Sequence, residues 1–395
     1  MRIGINAHLL AFTSNYRQAG LSRYIYELVQ QLPVVDPQNH YTAFVGNGDI
    51  PAGFLAATPS NLSYSRSRLP TVKAPVRIAW EQTILPLATA RERIDLLFCP
   101  VNVRPVVSTA PVIITIHDVI FLHYPAAFHP LKRLYLKAMT GWSARHSAHV
   151  ITVSEATRRD VISMLGVPPH RVTTVHNGVG SQFCPIPIEE QEVFKRQKGI
   201  DGRTILYVGT LEPRKNVSTL IEAFAAIAAD PELNDVKLII GGSKGWYYDE
   251  IFATAERLGL TASGRVQFLG RVPDEELPLW YNIATLCAYP SLYEGFGLPP
   301  LEAMACGTPA IVSDRSALPE VVGAAGLLVD PEDTKGWSEA LSRVLKNESL
   351  AAELGRKALE QAARFSWERT ARETAAVFRK VMSARHRRRR RKSRP

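Results

Sequence analysis

The chain has 395 residues, 46% of them hydrophobic, which predicts a soluble α/β enzyme of two or three domains with sizeable cores. Its four cysteines lack paired spacing, which argues against a disulfide scaffold and favours buried thiols over a metal cluster. No run of eighteen apolar residues and no signal-peptide core occur in the sequence, so we expect a cytoplasmic protein.

The net charge of +10 is concentrated at the end of the chain. Eight basic residues lie within residues 385–395, and without them the net charge would be +2. We expect this Arg-rich tail to be disordered, and either to contact anionic lipid at the inner face of the cytoplasmic membrane or only to solubilise the protein. A non-enzymatic binder of anionic surfaces or of nucleic acid is an alternative function that such a tail indicates.

The first half of the chain is predicted to be an α/β domain. An apolar strand at residues 2–10 leads to an amphipathic helix at residues 22–32, and Gly20 lies in the turn before the helix. A glycine at this place allows close approach of the backbone to a phosphate, although it also fits an ordinary turn. Further strands are predicted at residues 41–45, 96–99, 111–116, 149–153 and 172–175.

Two basic segments in this half have two interpretations each. Residues 66–77 precede Trp80 and are either a solvated loop or a contact for lipid head groups. Residues 131–145 form a predicted amphipathic helix whose apolar side fits core packing and whose basic side fits a membrane-bound acceptor.

A polar pair, His117 and Asp118, follows the continuous apolar strand at residues 111–116. The carboxyl ends of buried parallel strands face the crevice where α/β sheets bind ligands. His117 therefore fits a ligand contact, and it also fits a local hydrogen bond.

The second half opens with a predicted strand at residues 204–208, followed by Arg214 and Lys215 just before a helix. Two cations at the carboxyl end of a strand and the start of a helix favour an anion, while a solvated charge pair is the alternative. Strands are also predicted at residues 236–240 and 266–269. After the second of these, Asp274 either accepts hydrogen bonds from a guanine edge or caps the next helix.

The most informative stretch is residues 289–314. It reads as a strand, a loop with Gly295 and Gly297, a helix and another strand, which places free N–H groups of the loop and of the helix start at a strand end. Glu294 and Glu302 would repel a phosphate there, so they are better explained as acceptors for sugar or ribose hydroxyls. A helix-capping acid and a surface acid are the alternative explanation.

Glu-x7-Glu around Gly-Phe-Gly-Leu-Pro resembles the signature of the retaining family 4 glycosyltransferases, which have the GT-B fold. The resemblance implies that Glu294 contacts the donor sugar and that Glu302 binds the nucleotide ribose. It also implies that the main-chain amides of Phe296, Gly297 and Leu298 hold the sugar and the diphosphate.

The same resemblance implies roles elsewhere in the chain. His117 would bond the donor sugar and stabilise charge near the anomeric centre, and Arg214 and Lys215 would bind the diphosphate. Relatives often carry a glycine pair where this chain has only Gly20, and an arginine where it has Thr210. We expect Arg214 to take over the duty of that arginine, and Gly20 to lie near the diphosphate or the acceptor.

The GT-B resemblance implies two Rossmann-like, doubly wound lobes that face each other across a cleft. We expect an acceptor-side domain at residues 1–182, a linker at 183–200, a nucleotide-sugar-binding domain at 201–366, and a helix at 367–384 that crosses back to the first lobe. The basic tail follows.

The expected reaction is transfer of a hexosyl group, with retention, from a nucleotide sugar to a glycan or lipid-linked oligosaccharide in the synthesis of cell-surface polysaccharide. Asp274 and the similarity to bacterial polysaccharide mannosyltransferases favour GDP-mannose as co-substrate, and a UDP-hexose is the alternative. No second acid is placed as a nucleophile, so the leaving diphosphate would take the acceptor proton while Glu294, His117, Arg214 and Lys215 act as the catalytic groups.

The sequence has no Asp-x-Asp motif, so we expect neither a required metal nor another cofactor. A nucleotide-sugar epimerase stays open as an alternative with the same fold. A nicotinamide dehydrogenase is disfavoured because neither half has the Gly-x-Gly-x-x-Gly turn.

Overall fold

The computed structural model describes residues 1–10, 20–48, 50–51, 58–71 and 73–392, with side chains up to residue 387. Two compact units divide the chain. Unit 1 comprises Met1–Gly178 and Ser366–Pro395, and unit 2 comprises Val179–Phe365.

Unit 1 is built on a sheet of seven parallel strands. The strands are β1 (Arg2–Ala7), β2 (His40–Val45), β3 (Leu62–Arg66), β4 (Leu96–Cys99), β5 (Val112–Ile116), β6 (His149–Thr152) and β7 (Val172–Thr174). The helices are α1 (Gly20–Val35), α2 (Ala74–Arg91), α3 (Ile120–His123), α4 (Pro130–His146), α5 (Glu155–Leu165) and the last helix of the chain, α14 (Trp367–Lys392).

The strand order of this sheet is β3-β2-β1-β4-β5-β6-β7. The chain therefore winds outward in both directions from the gap between β1 and β4, which is the topological switch point of the sheet. The inner strands are mostly apolar because helices cover both faces of a parallel sheet, and every residue of β5 is buried.

Unit 2 is built on a sheet of six parallel strands in the order β10-β9-β8-β11-β12-β13. The strands are β8 (Thr204–Val208), β9 (Lys237–Gly241), β10 (Val266–Gly270), β11 (Leu286–Tyr289), β12 (Ala310–Ser313) and β13 (Leu327–Val329). The helices are α6 (Ile188–Lys198), α7 (Val217–Ala228), α8 (Asp249–Arg257), α9 (Leu277–Ile283), α10 (Leu298–Ala305), α11 (Leu318–Val322), α12 (Thr334–Leu345) and α13 (Glu348–Ala362). The switch point of this sheet lies between β8 and β11.

The last helix returns to unit 1, as the GT-B resemblance implied. α14 packs on α1, where the rings of Tyr24 and Trp367 lie 6.0 Å apart, and on β4, where Phe98 and Phe378 lie 5.2 Å apart. The helix is described as far as Lys392, so it continues past the start of the predicted tail at Arg385.

Three segments differ from the sequence-based expectation. The predicted linker at 183–200 contains α6, which is held in unit 2 because the buried Phe194 ring packs against Trp280 at 5.3 Å. The basic segment at 66–77 is not one loop, since Arg66 ends β3 and Arg77 lies in the first turn of α2. Asn216 directly precedes α7, and the sequence predicts that it caps this helix. It does not, because its side chain donates to the Pro331 carbonyl and accepts from the Thr219 hydroxyl.

Among the helices in the described part of the chain, none is both long enough and apolar enough to cross a membrane.

Candidate functional site

The site in unit 2 lies at the carboxyl edge of the sheet, beside the switch point. β8 and β11 are parallel neighbours, with Leu206 opposite Cys287, so the segments that follow them meet at one edge. A short 3-10 turn, Pro213–Lys215, follows β8, and the Leu292 N–H after β11 donates to the Arg214 carbonyl at 2.9 Å. This main-chain bond holds the two segments together.

Lys215 and Glu294 form a buried ion pair at this edge. The Lys215 Nζ donates to Glu294 Oε1 at 2.5 Å and to the Tyr289 hydroxyl at 2.8 Å. Each of the two charged residues is only 8% exposed. A buried charge of this kind needs a partner, and each supplies the other's.

Arg214 is held from two sides. Its Nε and Nη2 donate to Glu212 Oε1 at 3.1 and 2.5 Å, and its Nη1 donates to the Tyr293 carbonyl and lies 3.3 Å from Glu294 Oε1. The other oxygen of Glu212 accepts from the Trp246 indole at 2.8 Å. Glu212 thus fixes the plane of the guanidinium.

The two cations keep N–H groups for a further ligand. Of the five guanidinium N–H groups of Arg214, three hydrogen bonds use three, and two of the three ammonium N–H groups of Lys215 are used. The second Nη1 N–H group lies against Glu294, so within the described part of the chain two N–H donors at this edge, one on Arg214 Nη2 and one on Lys215 Nζ, have neither a hydrogen bond nor an ion-pair partner. They are the donors that an anion would engage.

The electrostatics of the cluster keep Glu294 ionised. Burial alone would raise the pKa of Glu294, but Lys215 and Arg214 outweigh burial and lower it to about 2. Burial also lowers the pKa of Lys215, against the attraction of Glu294. For Arg214 the opposing carboxylates Glu294 and Glu212 outweigh burial and raise the pKa, so the guanidinium stays charged.

Glu302 lies on α10, in the loop-to-helix segment that begins with Glu294, and it is buried. The Tyr281 hydroxyl donates to Glu302 Oε2 at 3.1 Å. Tyr281 is in turn fixed by the Thr308 hydroxyl, which donates to the Tyr281 carbonyl at 2.6 Å. One oxygen of Glu302 is therefore positioned by α9.

The loop before α10 depends on Gly297. Its φ is +113°, and a Cβ built on it would lie 2.8 Å from Leu318 Cδ2, so no other residue fits without a shift. Leu298 begins α10, and Phe296 is buried against the edge of the Phe365 ring. No hydrogen bond among the described residues uses the main-chain N–H groups of Gly297 and Leu298.

His117 lies in unit 1, directly after β5, and is half-buried. Its Nε2 lies 3.1 Å from the Pro100 carbonyl and its ring meets the edge of Tyr24 at 4.7 Å. Burial lowers the pKa of His117, so the neutral ring donates from Nε2 and leaves Nδ1 as an acceptor.

The other two predicted site residues are exposed. Gly20 is the first residue of α1, and residues 11–19 before it lie outside the described residues. Asp274 does not cap the next helix, because the N-cap position of α9 belongs to Glu276. Its predicted contact with a base stays a prediction.

The structure thus brings Arg214, Lys215 and Glu294 together, as the spacing along the chain indicated. Sequence reasoning missed the side chains that hold them: Glu212, Trp246, Tyr281 and Tyr289. Tyr289 could have been found, since it ends a strand of the same edge. Within the described ranges, no group of three or more His, Cys, Asp or Glu side chains could hold a metal ion.

Comparison with known proteins agrees with this architecture. The profile for glycosyl transferases group 1 matches residues 189–361, and that for Glycosyltransferase Family 4 matches residues 19–183. O-antigen chain mannosyltransferase B from Escherichia coli is 31% identical over 376 residues, which cover 92% of this chain and 96% of that protein. The serotype-specific mannosyltransferase WbdA from Escherichia coli is 32% identical over 224 residues, 56% of this chain and 27% of that protein.

Solved structures share the fold at low sequence identity. Sucrose-phosphate synthase from Thermosynechococcus elongatus has a TM-score of 0.76 and 21% identity, and the match covers 97% of this chain and 99% of that one. HepE from Anabaena, solved with UDP and glucose, has a TM-score of 0.71 and 19% identity over 96% of this chain and 100% of that one. The chain therefore belongs to the retaining family 4 glycosyltransferases, is a hexosyltransferase, and has the GT-B fold.

Proposed function

We propose that this enzyme transfers a mannosyl group from GDP-mannose to a glycan, most simply a lipid-linked oligosaccharide, in the synthesis of a cell-surface polysaccharide. The support for mannose is the O-antigen chain mannosyltransferase B of Escherichia coli, which is similar over nearly the full length of both chains. WbdA, a second relative, is also named as a mannosyltransferase.

The observation that carries the proposal is the buried cluster of Arg214, Lys215 and Glu294 beside the switch point of unit 2. The unused N–H groups of Arg214 and Lys215 would bind the diphosphate, together with the amides of Gly297 and Leu298.

The remaining contacts in the proposal follow the family resemblance. Glu294 would accept a hydroxyl of the donor sugar, and Glu302 would accept the ribose hydroxyls. The main-chain amide of Phe296 would assist at the diphosphate, Gly20 would lie near the diphosphate or the acceptor, and Asp274 would read the guanine edge.

The environment of Glu294 favours a positioning role over nucleophilic attack. Two cations neutralise its carboxylate and lower its pKa to about 2, against the effect of burial, which makes the group a weak nucleophile. Retention would then result from departure of the diphosphate on the face that the acceptor enters, with a diphosphate oxygen taking the acceptor proton. His117 would support the charge that develops on the sugar.

A UDP-hexose donor is the second candidate. Its support is the solved structure of HepE with UDP and glucose, whose fold this chain shares. The two candidates differ in the base and in the sugar, and the same measurement separates them.

The test is calorimetric titration of GDP, UDP, GDP-mannose and UDP-glucose into the wild-type enzyme and into Arg214→Ala and Glu302→Ala. We expect GDP and GDP-mannose to bind, and each variant to weaken binding at least about ten-fold, the equivalent of one lost charge-assisted hydrogen bond. Arg257→Ala and Glu256→Ala, at exposed positions of unit 2, are matched controls that should bind as the wild type does.

Binding of UDP and UDP-glucose alone would replace the mannosyl proposal with the second candidate. A folded wild-type protein that binds none of the four compounds would contradict both. Consumption of the donor in the absence of any acceptor, with its epimer as the product, would point to a nucleotide-sugar epimerase instead.

A further inference from the structure

A second buried polar cluster lies in unit 1 and has no part in the proposed donor site. It consists of Asn6 near the end of β1, His8 just after this strand, and Glu81 on α2. Asn6 Nδ2 donates to Glu81 Oε1 at 3.1 Å, and Asn6 Oδ1 lies 2.5 Å from His8 Nδ1. All three side chains are buried, with Glu81 only 5% exposed.

The position of this cluster is that of a ligand site. β1 and β4 flank the switch point of the unit 1 sheet, and the register that sets Ile5 opposite Phe98 brings Asn6 level with the end of β4. β5 pairs with the other side of β4 and leads to His117. His8 and His117 therefore lie at the same edge, about two strand spacings or 10 Å apart.

One hydrogen bond of the cluster lacks a donor proton. Because Asn6 donates with its amide nitrogen to Glu81, its oxygen faces His8, and His8 Nδ1 must carry the proton between them. Burial, with a contribution from Arg77, lowers the pKa of His8 to about 3, so the ring is neutral and Nε2 is an acceptor.

This Nε2 atom faces another acceptor. It lies 3.3 Å from Glu81 Oε1, and it is one of the buried polar atoms of the described residues that make no hydrogen bond. Two acceptors at this distance need a donor, which either protonation of Glu81 or a ligand hydroxyl supplies. A buried acceptor without a donor is costly, so the arrangement favours a ligand that brings one.

Partly exposed polar groups border the cluster. Arg77 on α2 and Tyr135 on α4 both interact electrostatically with Glu81, and both are half-buried. On the side of β4, burial raises the pKa of the Cys99 thiol, so this group is neutral. Among the described residues, Arg77 is the charged group that acts on both His8 and Glu81.

We propose that Asn6, His8 and Glu81 form the hydroxyl-binding site for the acceptor sugar, in which an acceptor O–H donates to His8 Nε2 beside Glu81 while its oxygen faces Arg77. The inference rests on the proposed function, because the acceptor is the second substrate of that reaction. A hydroxyl fits this set of groups since it donates and accepts at once, whereas a phosphate would face the carboxyl group of Glu81.

The test is direct binding of simple glycosides by saturation-transfer NMR, which does not require transfer activity. The probes are methyl α-D-mannopyranoside, methyl α-D-glucopyranoside and methyl α-D-galactopyranoside, with and without GDP. The proteins are wild type, His8→Ala, Glu81→Gln and Glu92→Gln. Glu92 is exposed directly after α2 and provides the same change of carboxyl to amide away from the cluster.

Glu81→Gln separates a binding role from a structural one. The same Glu81 oxygen accepts from Asn6 and faces His8, so the glutamine oxygen keeps the bond from Asn6 while the variant removes the buried carboxylate charge that a ligand hydroxyl would meet. We expect its stability to be kept or raised, its binding of at least one glycoside to fall about ten-fold or more, and its nucleotide affinity to stay within about two-fold of wild type. Glu92→Gln should match wild type in all three.

Wild-type protein that binds none of the glycosides, or variants His8→Ala and Glu81→Gln that both bind as well as wild type, would overturn the inference. Loss of nucleotide and glycoside binding together with a lowered melting temperature in both variants would assign the cluster to folding and would also overturn it. Glycoside binding that both variants lose, in a protein that binds neither GDP nor UDP, would support this site while contradicting the proposed donor.

Discussion

Glu81 and Glu294 are both buried carboxyl groups, but their neighbours move their pKa values in opposite directions. Burial raises the pKa of Glu81 from 4.5 to about 7, since its bond from Asn6 and the charge of Arg77 offset burial only in part. Glu294 instead has two cations in direct contact, and its pKa falls to about 2 in spite of burial. The two residues therefore contribute to stability in different pH ranges.

The raised pKa of Glu81 makes the stability of the folded protein depend on pH. A folded-state pKa above the unfolded value means that the folded protein loses stability as the pH rises from 4.5 through about 7. The loss amounts to about 3 kcal/mol at pH 8, which Glu81→Gln would not suffer. Urea unfolding at several pH values should show the variant gaining on wild type up to pH 8. A constant difference between the two proteins at all pH values would contradict the assignment.

The lowered pKa of Glu294 makes stability depend on pH in the opposite direction. Its ionised form stabilises the fold above pH 4.5, and this contribution is lost as the pH falls toward about 2. Acid unfolding followed by circular dichroism should therefore have a shallower dependence on pH in Glu294→Gln than in wild type. Equal slopes between pH 5 and 2 would show that the ion pair with Lys215 does not form in solution.

The Tyr281 hydroxyl positions the carboxyl group of Glu302, and its removal tests this role. Tyr281→Phe removes a donor from a buried carboxyl group and should cost about 1–2 kcal/mol of unfolding free energy. Tyr207→Phe is a matched control, because the buried Tyr207 hydroxyl makes no hydrogen bond among the described residues. If Glu302 binds the ribose, Tyr281→Phe should also weaken nucleotide binding, and Tyr207→Phe should not. Equal effects of the two changes would argue against the positioning role.

At the scale of elements, the start of α10 depends on the backbone of Gly297. Gly297→Ala meets both a left-handed φ of +113° and the Leu318 side chain, so it should destabilise unit 2 by about 1–3 kcal/mol and weaken nucleotide binding. Gly264→Ala is the control, with a φ of +70° and open space around the new methyl group. Its cost should be smaller, about 1 kcal/mol, and nucleotide binding should be unchanged. Calorimetric melting and nucleotide titration of both variants check this.

Most of the strands and helices can be predicted from the sequence. The strand at residues 204–208 is predicted with its observed bounds, because four consecutive apolar residues after Thr204 and before a glycine turn favour a buried strand. The sequence predicts that Ser154, a favoured N-cap residue after the strand at residues 149–153, caps the next helix, and it caps α5 with its hydroxyl accepting from the Thr157 N–H at 3.0 Å. β3 and α2 were missed because Ser, Arg and Pro interrupt their apolar pattern. Burial there comes from tertiary packing, which local periodicity does not record.

The sequence predicted the site in unit 2, where the residues follow strands with clear apolar patterns, and did not predict the cluster in unit 1. Arg214, Lys215 and Glu294 follow strands that both have strong apolar patterns, so their meeting at one edge could be inferred. Asn6 and Glu81 are 75 positions apart and join a strand to a helix whose pattern is weak. A contact of that kind depends on the packed structure, and no single short motif marks it.

At the scale of the molecule, the two units share one plan. Each sheet has its switch point between its first strand and a later neighbour, and each carries a buried polar cluster beside that point. The cluster in unit 2 contains two cations and suits an anion, whereas the cluster in unit 1 contains an imidazole, an amide and a carboxyl group and suits hydroxyls. This division matches a donor with a diphosphate and an acceptor without one.

The basic end of the chain supplies the last prediction. The described contacts of α14 with the rest of unit 1 involve residues such as Thr370 and Phe378, well before Arg385. Removal of residues 385–395 should therefore leave the melting temperature and nucleotide affinity unchanged, because it takes away charge and no buried ring. It should reduce co-sedimentation with vesicles of phosphatidylglycerol, and the wild-type binding should fall as salt is added. Vesicles of phosphatidylcholine are the control. Loss of nucleotide binding on truncation would mean that the tail supports the donor site, and its assignment to lipid contact alone would be wrong.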